Sequence, residues 1–212
     1  MTDDPDSRLT AFQLEVSQLF FSLPASESFL LAGGGALLAQ GLTARPTQDL
    51  DFFTRPGGGD VGLARDQFLA AAGEHGWDVD RVQDGATFCR LLIHGPEELL
   101  VDLALDSAPG RPASASIAGP TFAPDELAGR KVIALFDRAA ARDFVDVHAL
   151  SRRFTKPELL DLAREIDSGF DARVFIDMLN QLNRYRDVDL ALGDVDIPAL
   201  RAFFQQWVRA RK

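Results

Sequence analysis

The sequence predicts an α+β chain in which strands and helices share the first half and helices alone make up the second. Three observations carry that reading. Short apolar or alternating runs between Phe29 and Leu105 have strand character. The Pro-, Ala- and Ser-rich stretch from Ser107 to Gly119 has no periodicity and reads as a linker. From Asp125 onward apolar residues recur at helical spacing and strand signals nearly vanish. Residues 1–110 are therefore expected to form an α/β core and residues 111–212 a mainly helical domain, with no internal repeat.

Taken in order, Ser7 to Leu23 spaces Leu9, Phe12, Val16, Leu19, Phe20 and Leu23 as a packing helix, with Ser7 as N-cap and Pro24 just past its end. Phe29 to Ala32 is a buried strand that runs into Gly33-Gly34-Gly35, a turn, and a helix from Ala36 to Gly41. Asp49 to Phe53 alternates polar and apolar as a half-buried strand, ended by Pro56 to Gly59. A helix over Val61 to His75 precedes a strand at Trp77 to Val82. Strands at Thr87–Ile93 and Glu98–Leu105 follow, joined by a hairpin connection at 94–97. The helices of the second half are Asp125–Ala141, Arg142–Arg153, Pro157–Ser168, Ala172–Asn183 and Pro198 to the C-terminus.

Composition narrows the function classes. The 212 residues hold 22 Lys and Arg against 32 Asp and Glu, a formal charge of −10, with 46% hydrophobic residues. That is an ordinary globular composition, which excludes wholesale disorder and collagen-like repeats. The acidity argues against charge-driven wrapping of nucleic acid, although a local basic site is compatible with it. The single cysteine, Cys89, lies in an apolar run and implies a reducing compartment. The acidic N-terminus does not read as a signal peptide, and no apolar run is long enough to span a membrane, so a cytoplasmic protein is expected.

The chemistry is concentrated between Leu31 and Phe53. Glycines at a strand-to-helix turn let the backbone approach a ligand closely, and the N–H groups beyond them can receive phosphate. Asp49 and Asp51 stand two apart on a strand, so both carboxylates share a face where a cation between them relieves repulsion. Hard oxygen donors favour Mg²⁺ or Mn²⁺. Asp102, in Leu100-Val101-Asp102-Leu103, offers a third carboxylate on a neighbouring strand, as metal ligand or general base. Taken singly, a Gly-Gly turn is an ordinary loop and an Asp-x-Asp pair a solvated strand face. Their combination, with Arg45 and Thr47 between them and an isolated acid later, is hard to explain as packing.

This pattern of Gly-Gly, spacer and Asp-x-Asp resembles the nucleotidyltransferase superfamily with the DNA polymerase β type of active site. Within it the chain most resembles the AbiEii/AbiGii toxins of type IV toxin–antitoxin systems, a group that includes the mycobacterial MenT toxins. A second stretch, Lys131 to Leu150, is similar to that family's Lys, Arg, Arg-Asp-x-x-Asp-Leu signature through Lys131, Arg138, Arg142, Asp143 and Asp146. A plain surface charge ladder could also place Arg138, Arg142 and Asp146 at such intervals. Residues 130–156 nevertheless hold seven basic and three acidic side chains in an acidic protein, a reversal that suits an anionic ligand.

The resemblance implies a polymerase β-like fold, a mixed β-sheet core flanked by helices and followed by a C-terminal helical bundle. It implies Asp49, Asp51 and Asp102 as metal ligands and, with Lys131, as catalytic residues. Gly33, Gly34, Gly35, Arg45, Thr47, Lys131, Arg138, Arg142, Asp143 and Asp146 would bind the nucleotide, with Asp143 and Asp146 orienting Lys131 and Arg138. Where family members often carry Ser or Thr after the Gly-Gly pair, this chain has Gly35, leaving backbone N–H groups to take phosphate. His148, amid apolar neighbours, reads as structural. The implied activity is Mg²⁺-dependent transfer of a nucleoside monophosphate from an NTP to RNA, in particular the 3′ end of tRNA, in a toxin with a cognate antitoxin that need not bind it directly. Arg201, Arg209, Arg211 and Lys212 join the 130–156 segment as candidate RNA contacts. Transfer to a protein or small-molecule hydroxyl, and a non-catalytic nucleotide-binding module, are the alternatives.

Overall fold

The structure is a computed structural model that describes residues 9–209. Ser7, Arg211 and Lys212 lie outside the described residues. Two compact units emerge: one runs to Gln40 and resumes over Thr47–Ala123, the other comprises Gly41–Pro46 and the chain from Pro124.

The first unit is built on a five-stranded sheet of order β1-β2-β5-β4-β3. Its strands are β1 (Leu30–Ala32), β2 (Asp49–Thr54), β3 (Asp78–Asp84), β4 (Phe88–His94) and β5 (Glu98–Leu105). Only β2 and β5 pair in parallel, so the sheet is mixed, as expected. Helix α1 (Ala11–Ser22) starts later than the periodicity implied. Thr10 and Gln13 form a reciprocal capping box, each side chain accepting from the other's backbone N–H, and this fixes the first turn at Ala11. Helix α2 (Gly33–Ala39) begins on the glycines themselves rather than after them. Helix α3 (Val61–Glu74) is capped by the Asp60 carboxylate, which accepts from Leu63 N–H.

Alternation along β2 divides its side chains between two faces. Leu50 and Phe52 are fully buried, and Phe52 stacks on Phe20 with ring centroids 4.2 Å apart, beside Phe29 and Phe68. Burying each such ring stabilises by about 1.5–3 kcal/mol, which pins the strand's register. Asp49 and Asp51 are thereby committed to the opposite, half-exposed face. The aperiodic stretch 107–119 folds back along this unit. Ser17 Oγ donates to Ala118 O at 2.6 Å, Leu31 N–H to Pro120 O at 2.8 Å, and Gln40 to the Thr121 hydroxyl at 2.7 Å.

The second unit contains α4 (Pro124–Arg138), α5 (Ala141–Leu150), α6 (Lys156–Ile166), α7 (Ala172–Leu179), the four-residue α8 (Asp187–Leu190) and α9 (Ile197–Arg209). A 3₁₀ turn, Asn180–Arg184, follows α7. The first helix ends at Arg138 rather than Ala141, because Ala139 turns to φ +46°. A non-glycine residue rarely adopts that region. It is held there by Tyr185, whose hydroxyl donates to Ala139 O at 2.9 Å, and by Asp143, which accepts from Ala140 N–H as α5 begins. Phe144, Phe175, Phe204 and Trp207 form the aromatic core. Among the described residues no helix is long and apolar enough to cross a membrane.

Candidate active site

Strand register sets the first cluster. Ala32 pairs with Asp51, Asp51 with Asp102, and Asp102 with Arg90, so these residues stand in one row across β1, β2, β5 and β4. Asp49 lies two residues before Asp51 on the same face. Thr47, itself buried, donates its hydroxyl to one oxygen of Asp49 at 2.6 Å, and Gln13 Nε2 donates to Thr47 O at 2.8 Å. The capping residue of α1 is thus tied to the residue that orients Asp49.

Gly33, at φ +59°, sits against Asp51: a Cβ there would fall 1.8 Å from Asp51 Oδ2. Only glycine leaves the Asp51 carboxylate its position. Gly34 and Gly35 are buried, and a Cβ at Gly35 would meet Leu50 Cδ2 at 3.0 Å. The third glycine therefore faces packing against β2, where a longer side chain would crowd Leu50.

Asp102 is almost fully buried and accepts a forked pair from Arg90, Nε at 2.7 Å and Nη2 at 2.6 Å. These hydrogen bonds hold Arg90 above the usual guanidinium range, and the charges of Asp102, Asp49 and Asp51 add to them against the opposing effect of burial. Among the described residues no three His, Cys, Asp or Glu side chains form a ready-made metal group. Asp49 and Asp51 nonetheless fit a hard divalent ion of the Mg²⁺ type, which is commonly held by one or two carboxylates and completed by water and phosphate oxygens.

The second cluster lies in the helical unit and is buried apart from Arg138, whose side chain is about half exposed. Arg45 forks onto Asp146, with Nε–Oδ1 2.9 Å and Nη2–Oδ2 3.0 Å, and the Thr43 hydroxyl stands 3.4 Å from the same carboxylate. Lys131 Nζ lies 3.1 Å from Asp146 and 3.6 Å from Asp143. Arg138 forks onto Asp143 at 2.8 and 2.9 Å. Both aspartates are 0% exposed, Lys131 is 7% and Arg45 8%, so three cations enclose two acids. Burial raises the Asp143 carboxyl, but the Arg138 hydrogen bonds and the charges of Lys131, Arg138 and Arg142 outweigh it and leave the group below its ordinary value.

A family model described as the nucleotidyl transferase AbiEii toxin of type IV toxin–antitoxin systems matches residues 18–206. The chain belongs to the AbiEii nucleotidyltransferase toxin family. Solved structures share its fold. JHP933 from Helicobacter pylori aligns at TM-score 0.58 and 20% identity, covering 95% of this chain and 94% of its own. A putative nucleotidyltransferase from H. pylori gives 0.60 and 19%, covering 95% and 97%. The nucleotidyltransferase toxin MenT4 from Mycobacterium tuberculosis H37Rv gives 0.59 and 16%, covering 94% of this chain and 80% of MenT4. Comparison with curated protein sequences gives no match.

This AbiEii chain distributes the residues singled out from its sequence over both clusters. The sheet unit carries Gly33, Thr47, Asp49, Asp51 and Asp102, and the helical unit carries Arg45, Lys131, Arg138, Asp143 and Asp146. Arg142 is exposed, and His148 is half-buried against the Phe203 ring, with its basicity lowered by burial. Much of the positive charge of residues 130–156 is engaged internally. Arg130 pairs with Glu126, Lys131 and Arg138 with the buried aspartates, and Lys156 lies over the rings of Phe203 and Trp207. Arg142, Arg152 and Arg153 remain exposed, while Arg201 pairs with Asp187 and Tyr185 O.

Sequence reading passed over Arg90, Gln13, Thr43 and Tyr185. The Arg90 partnership had a signal: if the 94–97 hairpin pairs His94 with Glu98, counting four residues back along one strand and forward along the other sets Arg90 opposite Asp102.

Proposed function

We propose that this AbiEii-family chain transfers a nucleoside monophosphate from an NTP to a hydroxyl at the 3′ end of tRNA, with release of pyrophosphate. The observation that carries the reading is the pair Asp49 and Asp51 on one half-exposed sheet face, with Asp102 abreast of Asp51. Asp49 and Asp51 would hold the divalent metal, and Asp102 would join them as a further ligand or accept the acceptor hydroxyl's proton. When bound, the metal neutralises triphosphate charge and stabilises the charge that develops in transfer. Thr47 fixes one oxygen of Asp49, and Gly33 keeps the space beside Asp51 open. Lys131, Arg138 and Arg142 supply positive charge for the phosphates, with Asp143 and Asp146 fixing where Lys131 and Arg138 point. Gly34 and Gly35 would offer backbone N–H groups to phosphate, and Arg45 acts through Asp146.

RNA as acceptor rests on family membership and on the exposed guanidinium groups of Arg142, Arg152 and Arg153, in a protein whose charge of −10 otherwise repels phosphate. That same charge is what favours a protein or small-molecule hydroxyl as the second reading. A cognate antitoxin is implied by the type IV system, and a cytoplasmic location follows from an RNA target.

The test is to incubate the protein and its Asp51→Asn variant with Mg²⁺, each α-labelled NTP in turn and total bacterial tRNA, and to resolve the products on a denaturing gel. Asp51-dependent label on tRNA is expected, reduced by EDTA and by Arg152→Glu/Arg153→Glu. Label on protein or on a small acceptor instead would move the assignment to the second reading, and no Asp51-dependent label on any acceptor would overturn it.

A further inference from the structure

Arg90 stands in the carboxylate row opposite Asp102, and its geometry is that of a competitor for metal rather than a surface ion pair. Both oxygens of Asp102 accept from the same guanidinium at 2.6 and 2.7 Å, a forked and charge-assisted arrangement. Asp102 is only 6% exposed, whereas 42% of the Arg90 side chain is open to solvent. The acid therefore cannot turn away by itself, and the guanidinium can. The Phe88 ring, two residues earlier on the same face of β4, lies 5.6 Å from the Arg90 guanidinium carbon and offers a cation–π resting place. Register brings Asp102 abreast of Asp51 on adjacent strands about 4.8 Å apart, so a divalent ion on Asp49 and Asp51 arrives where a monovalent cation already answers the third acid.

We propose that Arg90 is a positioning residue that withholds Asp102 from the metal and gives it up when a divalent cation binds Asp49 and Asp51. The inference rests on the metal-binding reading of those two aspartates. Its consequence is coupling: release of Asp102 accompanies metal occupancy, and the metal affinity of the resting protein is lowered by the competition. Lysine at position 90 retains the charge but cannot form the fork, so it competes less well.

Mn²⁺ binding to the full chain, followed by electron paramagnetic resonance without nucleotide, tests this in wild type, Arg90→Met, Arg90→Lys, Asp102→Asn, the Arg90→Met/Asp102→Asn double variant and Asp51→Asn. Arg90→Met is expected to bind Mn²⁺ about tenfold more tightly than wild type, with Arg90→Lys between them, and the gain is expected to vanish in the Asp102→Asn background. Should Arg90→Met fail to fold, a several-fold gain in Arg90→Lys carries the same test. Unchanged or weaker binding in both Arg90 variants overturns the proposal, and so does a gain that persists without Asp102, since that is a general charge effect. The two readings separate at Asp51→Asn. If this variant loses Mn²⁺ while the Arg90 variants gain nothing, only the Arg90 proposal fails; if it binds as well as wild type, the metal site fails and the proposal with it.

Discussion

In the sheet unit Asp49 and Asp51 stay half-exposed on a face they share with Asp102 and Arg90, whereas in the helical unit Asp143 and Asp146 are sealed from solvent among Arg45, Lys131 and Arg138. The same residue type serves two physical purposes. Two carboxylates on one half-exposed strand face repel one another, and an added cation relieves that repulsion. Carboxylates enclosed by forked hydrogen bonds have their charge answered within the fold. They hold cationic side chains in place, and removing one strands its partners in a dry interior.

The comparison breaks most visibly at Asp146. Asp146→Ala leaves Arg45 and Lys131 buried beside an absent partner, and a loss of about 3–5 kcal/mol is expected in urea unfolding. A loss under 1 kcal/mol would show the helical cluster to be no more structural than the sheet row. Gly33→Ala comes next. It forces a side chain into φ +59° and into the Asp51 carboxylate, so a cost of about 1–2 kcal/mol is expected together with a drop in nucleotide transfer larger than stability explains. Normal transfer would remove Gly33 from the site. Thr47→Val sharpens the contrast from the other side by deleting the hydroxyl on Asp49 while keeping the shape. About tenfold slower transfer with a midpoint shift near 1 kcal/mol is expected, and equal kinetics would make the hydroxyl incidental.

The smallest effect concerns His148. Burial holds its folded-state basicity below the ordinary 6.5, so the folded protein keeps it neutral while the unfolded chain takes up a proton first. Its contribution is present above pH 6.5 and is lost as pH falls below that value. Thermal midpoints measured from pH 7.5 to 5.5 should decline less in His148→Gln than in wild type.

The parts of the fold legible in the sequence were those set by local pattern. β2 and β5 declared themselves by alternation and apolar density, and Asp49, Asp51 and Asp102 could be placed on strands because a period of two fixes which side chains share a face. The expected N-cap of α1, Ser7, lies three residues before Thr10, where the Thr10–Gln13 capping box outweighs periodicity, and the α4–α5 break, expected between Ala141 and Arg142, falls earlier, at Ala139 and Ala140, within an alanine run that favours helix locally. What decides it is Tyr185, 46 residues beyond Ala139. Arg45 shows the same limit more sharply. Its neighbours Thr47 and Asp49 made a nucleotide role natural, yet its guanidinium is spent on Asp146, 101 residues away, and nothing local in residues 41–46 announces that partner. Excess basic charge at 130–156 was legible as a number, but not that Glu126, Asp143 and Asp146 would absorb much of it.

The sheet row is expected to act as a cation site, and the effect of Mg²⁺ on thermal unfolding of wild type and Asp51→Asn tests this. Without metal, Asp51→Asn should melt near the wild-type temperature. With millimolar Mg²⁺ the wild type should gain several degrees and the variant none. A variant that melts lower without metal, beside a wild type indifferent to Mg²⁺, would show Asp51 to be a structural group and contradict the account.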